Sequence, residues 1–205
     1  MQDLSVAGLS VSRETIERLE AYLALLRKWN PAINLVSKNT LDAAWERHFI
    51  DSAQLFALAP KGEGHWVDLG TGGGFPGMVC AIISAEVTPE RTFTMIESDQ
   101  RKATFLRTVA REVEVPVTVL SERVEQAHPA NAQVLSARAL ASLADLIGFA
   151  HRHLASDGVA FFPKGARHAN ELAESQKSWR FKYQEHPSVT DAEAVIFEIG
   201  DIERA

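Results

Sequence analysis

His65-Trp66-Val67-Asp68-Leu69-Gly70-Thr71-Gly72-Gly73-Gly74-Phe75-Pro76-Gly77 reads as a strand, a glycine-rich turn and the start of a helix. Glycine serves where a backbone turns tightly or where a ligand must approach without meeting a Cβ atom. Pro76 suits the first helical position. Two spacings overlap here. Gly72-x-Gly74-x-x-Gly77 matches the dinucleotide fingerprint, while Asp68 extends the run to Asp-x-Gly-x-Gly-x-Gly. A carboxylate at the strand's end repels a pyrophosphate. It suits S-adenosylmethionine, which has no phosphate and carries a sulfonium and an ammonium. Asp68, Gly70, Gly72 and Gly74 are therefore candidate cofactor residues.

Downstream, β-rich runs near 65–69, 92–97, 116–120, 132–137 and 158–163 alternate with helical patterns near 76–85, 99–113, 140–155 and 167–177. That alternation is the mark of βαβ units and a mostly parallel sheet. Two last runs, near 180–185 and 193–199, are too close for a crossover helix and should form an antiparallel hairpin. The expected fold is α/β, Rossmann-like, with seven strands. Glu97 ends the second strand, 23 residues after Gly74. That is near the offset at which an acid takes the ribose hydroxyls of an adenosine ligand. The alternative is that Glu97 only starts the helix at Ser98-Asp99.

Upstream lie helices. Ile16, Leu19, Leu23 and Leu26 share one face of a pattern over 12–29, with Ser12 as N-cap and a stop expected at Asn30-Pro31. A second pattern runs from about Thr40 to Leu58. The expected organisation is a helical extension over 1–60 and a cofactor-binding domain over 61–205, together one compact unit.

Composition narrows the classes. Of 205 residues, 46% are hydrophobic and 23% charged, and no apolar run reaches the roughly 18 residues that cross a bilayer. Met1-Gln2-Asp3-Leu4-Ser5 lacks the basic start of a signal peptide, so a cytoplasmic protein is expected. One cysteine, Cys80, excludes an intrachain disulfide and a CxxC metal site, and no other cluster has metal-ligand spacing. No metal is expected. A net charge of −6 argues against nonspecific coating of nucleic acid but leaves room for a local basic surface. The acidic excess is concentrated from Ala169 onward, with eight acidic residues against four basic.

Lys38, Arg47, His48, Arg138, Lys164 and Arg167 fall in the helical extension or after strand ends, on the expected ligand side, and are candidates for holding the methyl acceptor. For Arg47 and His48 a structural role is the alternative. Arg101, Lys102, Arg107 and Arg111 read as a solvated helix face. No Asn/Asp-Pro-Pro-aromatic run is present, and Cys80 is poorly placed to attack a pyrimidine, which together favour methylation of a ring nitrogen or an oxygen.

The pieces Asn34-Leu35-Val36-Ser37, Glu46 through Ser52, Asp68 through Gly77, Glu97-Ser98 with Lys102, Phe105 and Leu106, Arg123-Val124-Glu125 and Ser136 through Leu143 resemble the RsmG (GidB) family. That resemblance implies methyl transfer from S-adenosylmethionine to guanine N7 in 16S ribosomal RNA, at guanine 527 of that RNA. It places cofactor contacts on Gly70, Phe75, Val124, Glu125 and Arg138. The family's Lys-Gly pair stands here as Lys164-Gly165, preceded by Pro163, which costs a ladder hydrogen bond. Guanine N7 has a free lone pair and no proton, so no residue, His48 included, is assigned as acid or base. The implied partner is 16S RNA or the small-subunit particle, whose phosphates or target base Lys38, Arg47, His48, Arg138, Lys164 and Arg167 would grip, and a monomer is expected. The rivals are a nicotinamide-dinucleotide oxidoreductase and a noncatalytic RNA-binding module on the same fold.

Overall fold

A computed structural model describes residues 9–205. Met1 through Ser5, read above for targeting, lie outside the described residues. The chain runs α1 (Arg13–Ile33), α2 (Lys38–Leu41), a π turn (Trp45–Ile50), α3 (Asp51–Leu58), β1 (Gly64–Leu69), α4 (Gly77–Val87), β2 (Arg91–Ile96), α5 (Gln100–Glu112), β3 (Thr118–Leu120), β4 (Ala132–Ser136), α6 (Leu143–His153), β5 (Leu154–Lys164), α7 (His168–Ser175), β6 (Trp179–Pro187) and β7 (Val195–Arg204).

The sheet has seven strands in the order β3-β2-β1-β4-β5-β7-β6. The pairs from β3 to β5 are parallel, and β7 lies antiparallel between β5 and β6. The strand order reverses between β1 and β4, and in open α/β sheets that switch point opens a ligand crevice at the strands' carboxyl ends. Alternation along β1 divides the core. Trp66 packs with α1, α3, α4 and α5 on one face, and Val67 and Leu69 with α6 on the other. Helix α4, apolar all round, is buried along Gly77–Ser84. Among the described residues no helix is long and apolar enough to cross a membrane.

Three local expectations are corrected. Helix α1 does not stop at Asn30 but runs through Pro31 to Ile33. Its end is fixed at Asn34, left-handed at φ 52°, whose N–H donates to the Asn30 carbonyl, while the buried Asn30 amide oxygen accepts the Val36 N–H at 2.8 Å. These bonds offset the one forfeited at Pro31. The single helix expected over 40–58 is broken into α2, the π turn and α3. Pro76 precedes α4 as its cap instead of opening it. By contrast Pro163 stays within β5, opposite Ile196. It lies beyond the last β4 pairing, Ser136 with Phe161, so the ladder on that side has already ended.

Candidate active site

The glycine loop is held from below. Asp68 shares the face of β1 that carries Trp66 and is 1% exposed. Its Oδ2 accepts the Gly77 N–H at 3.1 Å and its Oδ1 the Ser136 hydroxyl at 2.6 Å, while Ser136 accepts the Trp66 indole N–H at 2.8 Å. Burial raises the Asp68 carboxyl to about 6, with the Ser136 hydrogen bond opposing it. Gly74 sits at φ 98°, and a Cβ there would collide with the Tyr22 hydroxyl. That buried hydroxyl donates to the Gly73 carbonyl, and the Tyr22 ring stacks on Phe75 at 5.3 Å. Asp68, Gly74 and Phe75 therefore support the loop from beneath and do not line its open face.

The open face is a cavity of about 390 Å³ bounded by Gly70, Gly72, Glu97, Val124 and Glu125. Glu97 Oε2 accepts the Gly72 N–H and Oε1 the Asp99 N–H, each at 2.8 Å, so the carboxylate ties the loop to the start of α5 and also faces the cavity. Each oxygen keeps lone-pair capacity for a ligand hydroxyl. Three carboxylates, of Glu97, Glu122 and Glu125, stand against Lys102 and Arg123. All but one of the loop donors that would cradle a phosphate are engaged, Gly73 N–H being the exception. Gly70 and Thr71 N–H go to the Ile96 carbonyl, Gly74 and Phe75 N–H to the Thr71 carbonyl, Gly72 N–H to Glu97 and Gly77 N–H to Asp68. A helix N-terminus already facing its own carboxylate is a poor pyrophosphate site. The cavity suits a cationic, hydroxyl-bearing ligand.

A second cavity of about 520 Å³ adjoins it, bounded by Arg47, His48, Asp51, Arg138, Lys164 and Glu171. Ala139, Leu140 and Ala141 line both, so one short segment is the wall between them. Ala139 is left-handed at φ 53°, and Leu140, although an exposed apolar side chain, leans on Gly70 so closely that a Cβ at Gly70 would collide with it.

Arg138 faces this second cavity. It donates to the Asp51 carboxylate at 2.8 Å, to the Arg47 carbonyl at 3.1 Å and to His48 Nδ1 at 2.9 Å, and lies 5.3 Å over the Phe75 ring. Because a guanidinium can only donate, His48 Nδ1 is the acceptor and Nε2–H donates to Thr40 Oγ1 at 2.9 Å. Burial, reinforced by the Arg138 charge, lowers the His48 imidazole to about 4. It is neutral near pH 7, with both nitrogens engaged. Lys164 Nζ donates to the Ala141 carbonyl at 2.9 Å and to Glu171 Oε2 at 2.8 Å. Arg47 stands at the rim, 51% exposed. Arg167 lines a neighbouring groove with Glu171, and Lys38 is exposed on α2, outside both cavities. Sequence reasoning passed over Tyr22, Asp51, Leu140 and Glu171. Asp51 had a signal, since it lies one turn after Arg47-His48 on the same helical run.

A model of the family described as rRNA small subunit methyltransferase G matches residues 15–198. The chain belongs to this family. Ribosomal RNA small subunit methyltransferase G of Ruegeria pomeroyi is 53% identical over 196 residues, covering 96% of this chain and 96% of that protein. The protein of the same name from Paracoccus denitrificans is 46% identical over 198 residues, covering 96% and 100%. Among solved structures, a ribosomal protein L11 methylase from Lactobacillus delbrueckii subsp. bulgaricus has a TM-score of 0.60 at 14% identity over 75% of this chain and 78% of that one. A TehB-like S-adenosylmethionine-dependent methyltransferase from Corynebacterium glutamicum has a TM-score of 0.58 at 14% identity over 89% and 98%. These neighbours share the Rossmann-like methyltransferase fold, and the methyltransferase G family supplies the enzyme class.

Proposed function

We propose that this protein transfers a methyl group from S-adenosylmethionine to N7 of a guanine in 16S ribosomal RNA, the position corresponding to guanine 527. The observation that carries the cofactor assignment is the engagement of six loop N–H donors by Asp68, Glu97 and backbone carbonyls, which leaves Gly73 N–H alone for a phosphate beside a carboxylate-lined cavity. The same observation counts against a nicotinamide dinucleotide. Membership in the methyltransferase G family supports the RNA substrate and, with it, a cytoplasmic site of action. A catalytic role, against a binding module alone, is supported by the adjoining cavity that opens on the far side of Leu140.

The cofactor supplies an electrophilic methyl group on a sulfonium. Glu97 takes the ribose hydroxyls, the strip at Val124 and Glu125 flanks the adenine, and Gly70 and Gly72 let the ligand reach the backbone. On the acceptor side Arg138 and Lys164 shape the base cavity, and Arg47 and Arg167 at its margins contact phosphate. Asp68, Gly74 and Phe75 hold the loop's shape, and Lys38 contributes to RNA only from outside the cavity. No proton leaves N7, so no general base is needed. His48, neutral and hydrogen-bonded at both nitrogens, fills a structural place. Catalysis is then a matter of positioning, which can supply roughly 7–11 kcal/mol.

The test is incubation of the protein with labelled S-adenosylmethionine and undermethylated 16S RNA or small subunits, followed by mapping of the modified base. Label at guanine N7 is expected in one of the two substrates. Label on another base, or none in either substrate, overturns the reading. Titration calorimetry should show binding of S-adenosylhomocysteine and not NAD, and turnover should survive a metal chelator.

A further inference from the structure

The second cavity carries carboxylates that a site for polyanionic RNA would not hold by default, and they differ in what is left to bind with. Asp51 is committed: Oδ1 accepts from Gln54 and Thr190 and Oδ2 from Arg138. Asp191 is at the rim, with Oδ1 accepting the Glu193 N–H and Oδ2 3.6 Å from Arg47. Glu171 is different. Its Oε2 is pinned by the Leu143 N–H at 2.9 Å and by Lys164 Nζ at 2.8 Å, while no hydrogen bond engages Oε1 among the described residues. The carboxylate is thus immobilised where the cavity meets the neighbouring groove, with one oxygen uncommitted. Lys164, tied to the Ala141 carbonyl, keeps one ammonium proton uncommitted.

A donor beside an acceptor is the complement of guanine's O6 and N1–H. Adenine presents the reverse, an amino donor beside an unprotonated N1. We propose that Lys164 and Glu171 read the target base, Lys164 donating to O6 and Glu171 Oε1 accepting N1–H. This leaves N7, on the other flank of O6, free toward the Ala139–Ala141 wall and the cofactor cavity behind it. The inference rests on the methyltransferase reading above and assigns Glu171 a role in specificity and rate. As the N7–C bond forms the ring turns cationic and N1–H becomes a stronger donor. The bond to Glu171 then tightens between ground state and transition state, and interactions that strengthen in this way raise kcat. The Lys164 charge and the Leu143 N–H outweigh the effect of partial burial and hold the Glu171 carboxyl below its ordinary range, ionised as the role requires.

The test compares wild type, Glu171→Ala and Glu171→Gln on the RNA substrate that proves active, assembled by ligation so that the target nucleoside is guanosine or 2-aminopurine riboside, which lacks both O6 and N1–H. On guanosine, Glu171→Ala should lower kcat about tenfold to a hundredfold with a smaller change in KM. Glu171→Gln, which keeps a neutral acceptor, should lose less. Wild type should lose activity on 2-aminopurine, and Glu171→Ala should lose less between the two bases than wild type does, because only the Lys164–O6 bond is left to forfeit. An equal loss for both variants on both bases would mark Glu171 as a prop for α6 and α7 and overturn the inference, as would unchanged kcat on guanosine. Wild type failing on guanosine would instead overturn the parent reading and this inference together. If Glu171→Ala does not fold, Glu171→Gln decides, with unaltered S-adenosylhomocysteine affinity as its control.

Discussion

Asp68 and His48 are both buried, and their protonation pulls stability in opposite directions. The His48 imidazole falls from 6.5 to about 4 on folding, so the unfolded chain binds its proton first. Its contribution is fully present above pH 6.5 and is lost as the pH drops toward 4, by about 3 kcal/mol. The Asp68 carboxyl rises from 3.8 to about 6, so the folded chain takes up that proton first and gains stability as the pH falls from about 6 toward 3.8. Wild type should therefore show a shallow pH dependence of stability between 6.5 and 4. In His48→Gln the strongest opposition to the Asp68 gain is removed, and urea midpoints should rise on acidification from pH 6.5 toward 5, before the carboxyls held low by the fold, Glu171 among them, begin to lose their contribution. A fall parallel to wild type would contradict this assignment. Glu97 stands apart because it faces the cavity. Glu97→Ala should weaken S-adenosylhomocysteine binding by about 1–3 kcal/mol in calorimetry.

At the scale of elements, the glycine loop depends on α1. Tyr22 reaches the Gly73 carbonyl from a helix of the N-terminal extension, outside the residues of the motif. Tyr22→Phe keeps the ring on Phe75 but leaves a buried carbonyl unpaired, and should cost about 1–3 kcal/mol in chemical denaturation. Gly74→Ala should be worse, through both its left-handed φ and the collision with that hydroxyl; adding Tyr22→Phe should restore part of the loss, and additive costs would refute the contact. Much of this region was legible. The strand, the turn and the fold class follow from residues 65–77. Alternation along β1 even contained the fact that Asp68 shares the Trp66 face, although its place in the motif suggested a ligand contact. What was not legible depends on tertiary context. The π turn over 45–50 retains the residue types of an α-helix, and only packing of His48, Phe49 and Ile50 selects the wider register. Pro31 breaks a helix by local rules, and the Asn30 and Asn34 bonds overrule it. Leu140 reaches Gly70 only because Ala139 takes a conformation that an alanine does not advertise.

Over the whole molecule, the division at residue 60 marks a change of pattern and does not separate two cores. Helix α1 packs on α4 and α5, and α3 on α4, within the cluster that also holds Trp66 and Met95 of the sheet. We expect one cooperative unfolding transition. The tryptophans provide the probes, with Trp29 and Trp45 in the helical block and Trp66 and Trp179 in the sheet. Single-tryptophan variants should report coincident urea midpoints, and an earlier transition at Trp29 or Trp45 would show that the block melts by itself.

The wall at Ala139–Ala141 also bears on the order of events. The two cavities share only Ala139, Leu140 and Ala141 as lining, and we expect each to fill without the other. Steady-state kinetics should then be sequential and random in order. S-adenosylhomocysteine should compete with S-adenosylmethionine but act as a noncompetitive inhibitor toward RNA. Unmethylated RNA would be bound as readily by spent enzyme as by charged enzyme, so a fall in the methyl-donor ratio would tie up substrate in unproductive complexes as well as slow its modification.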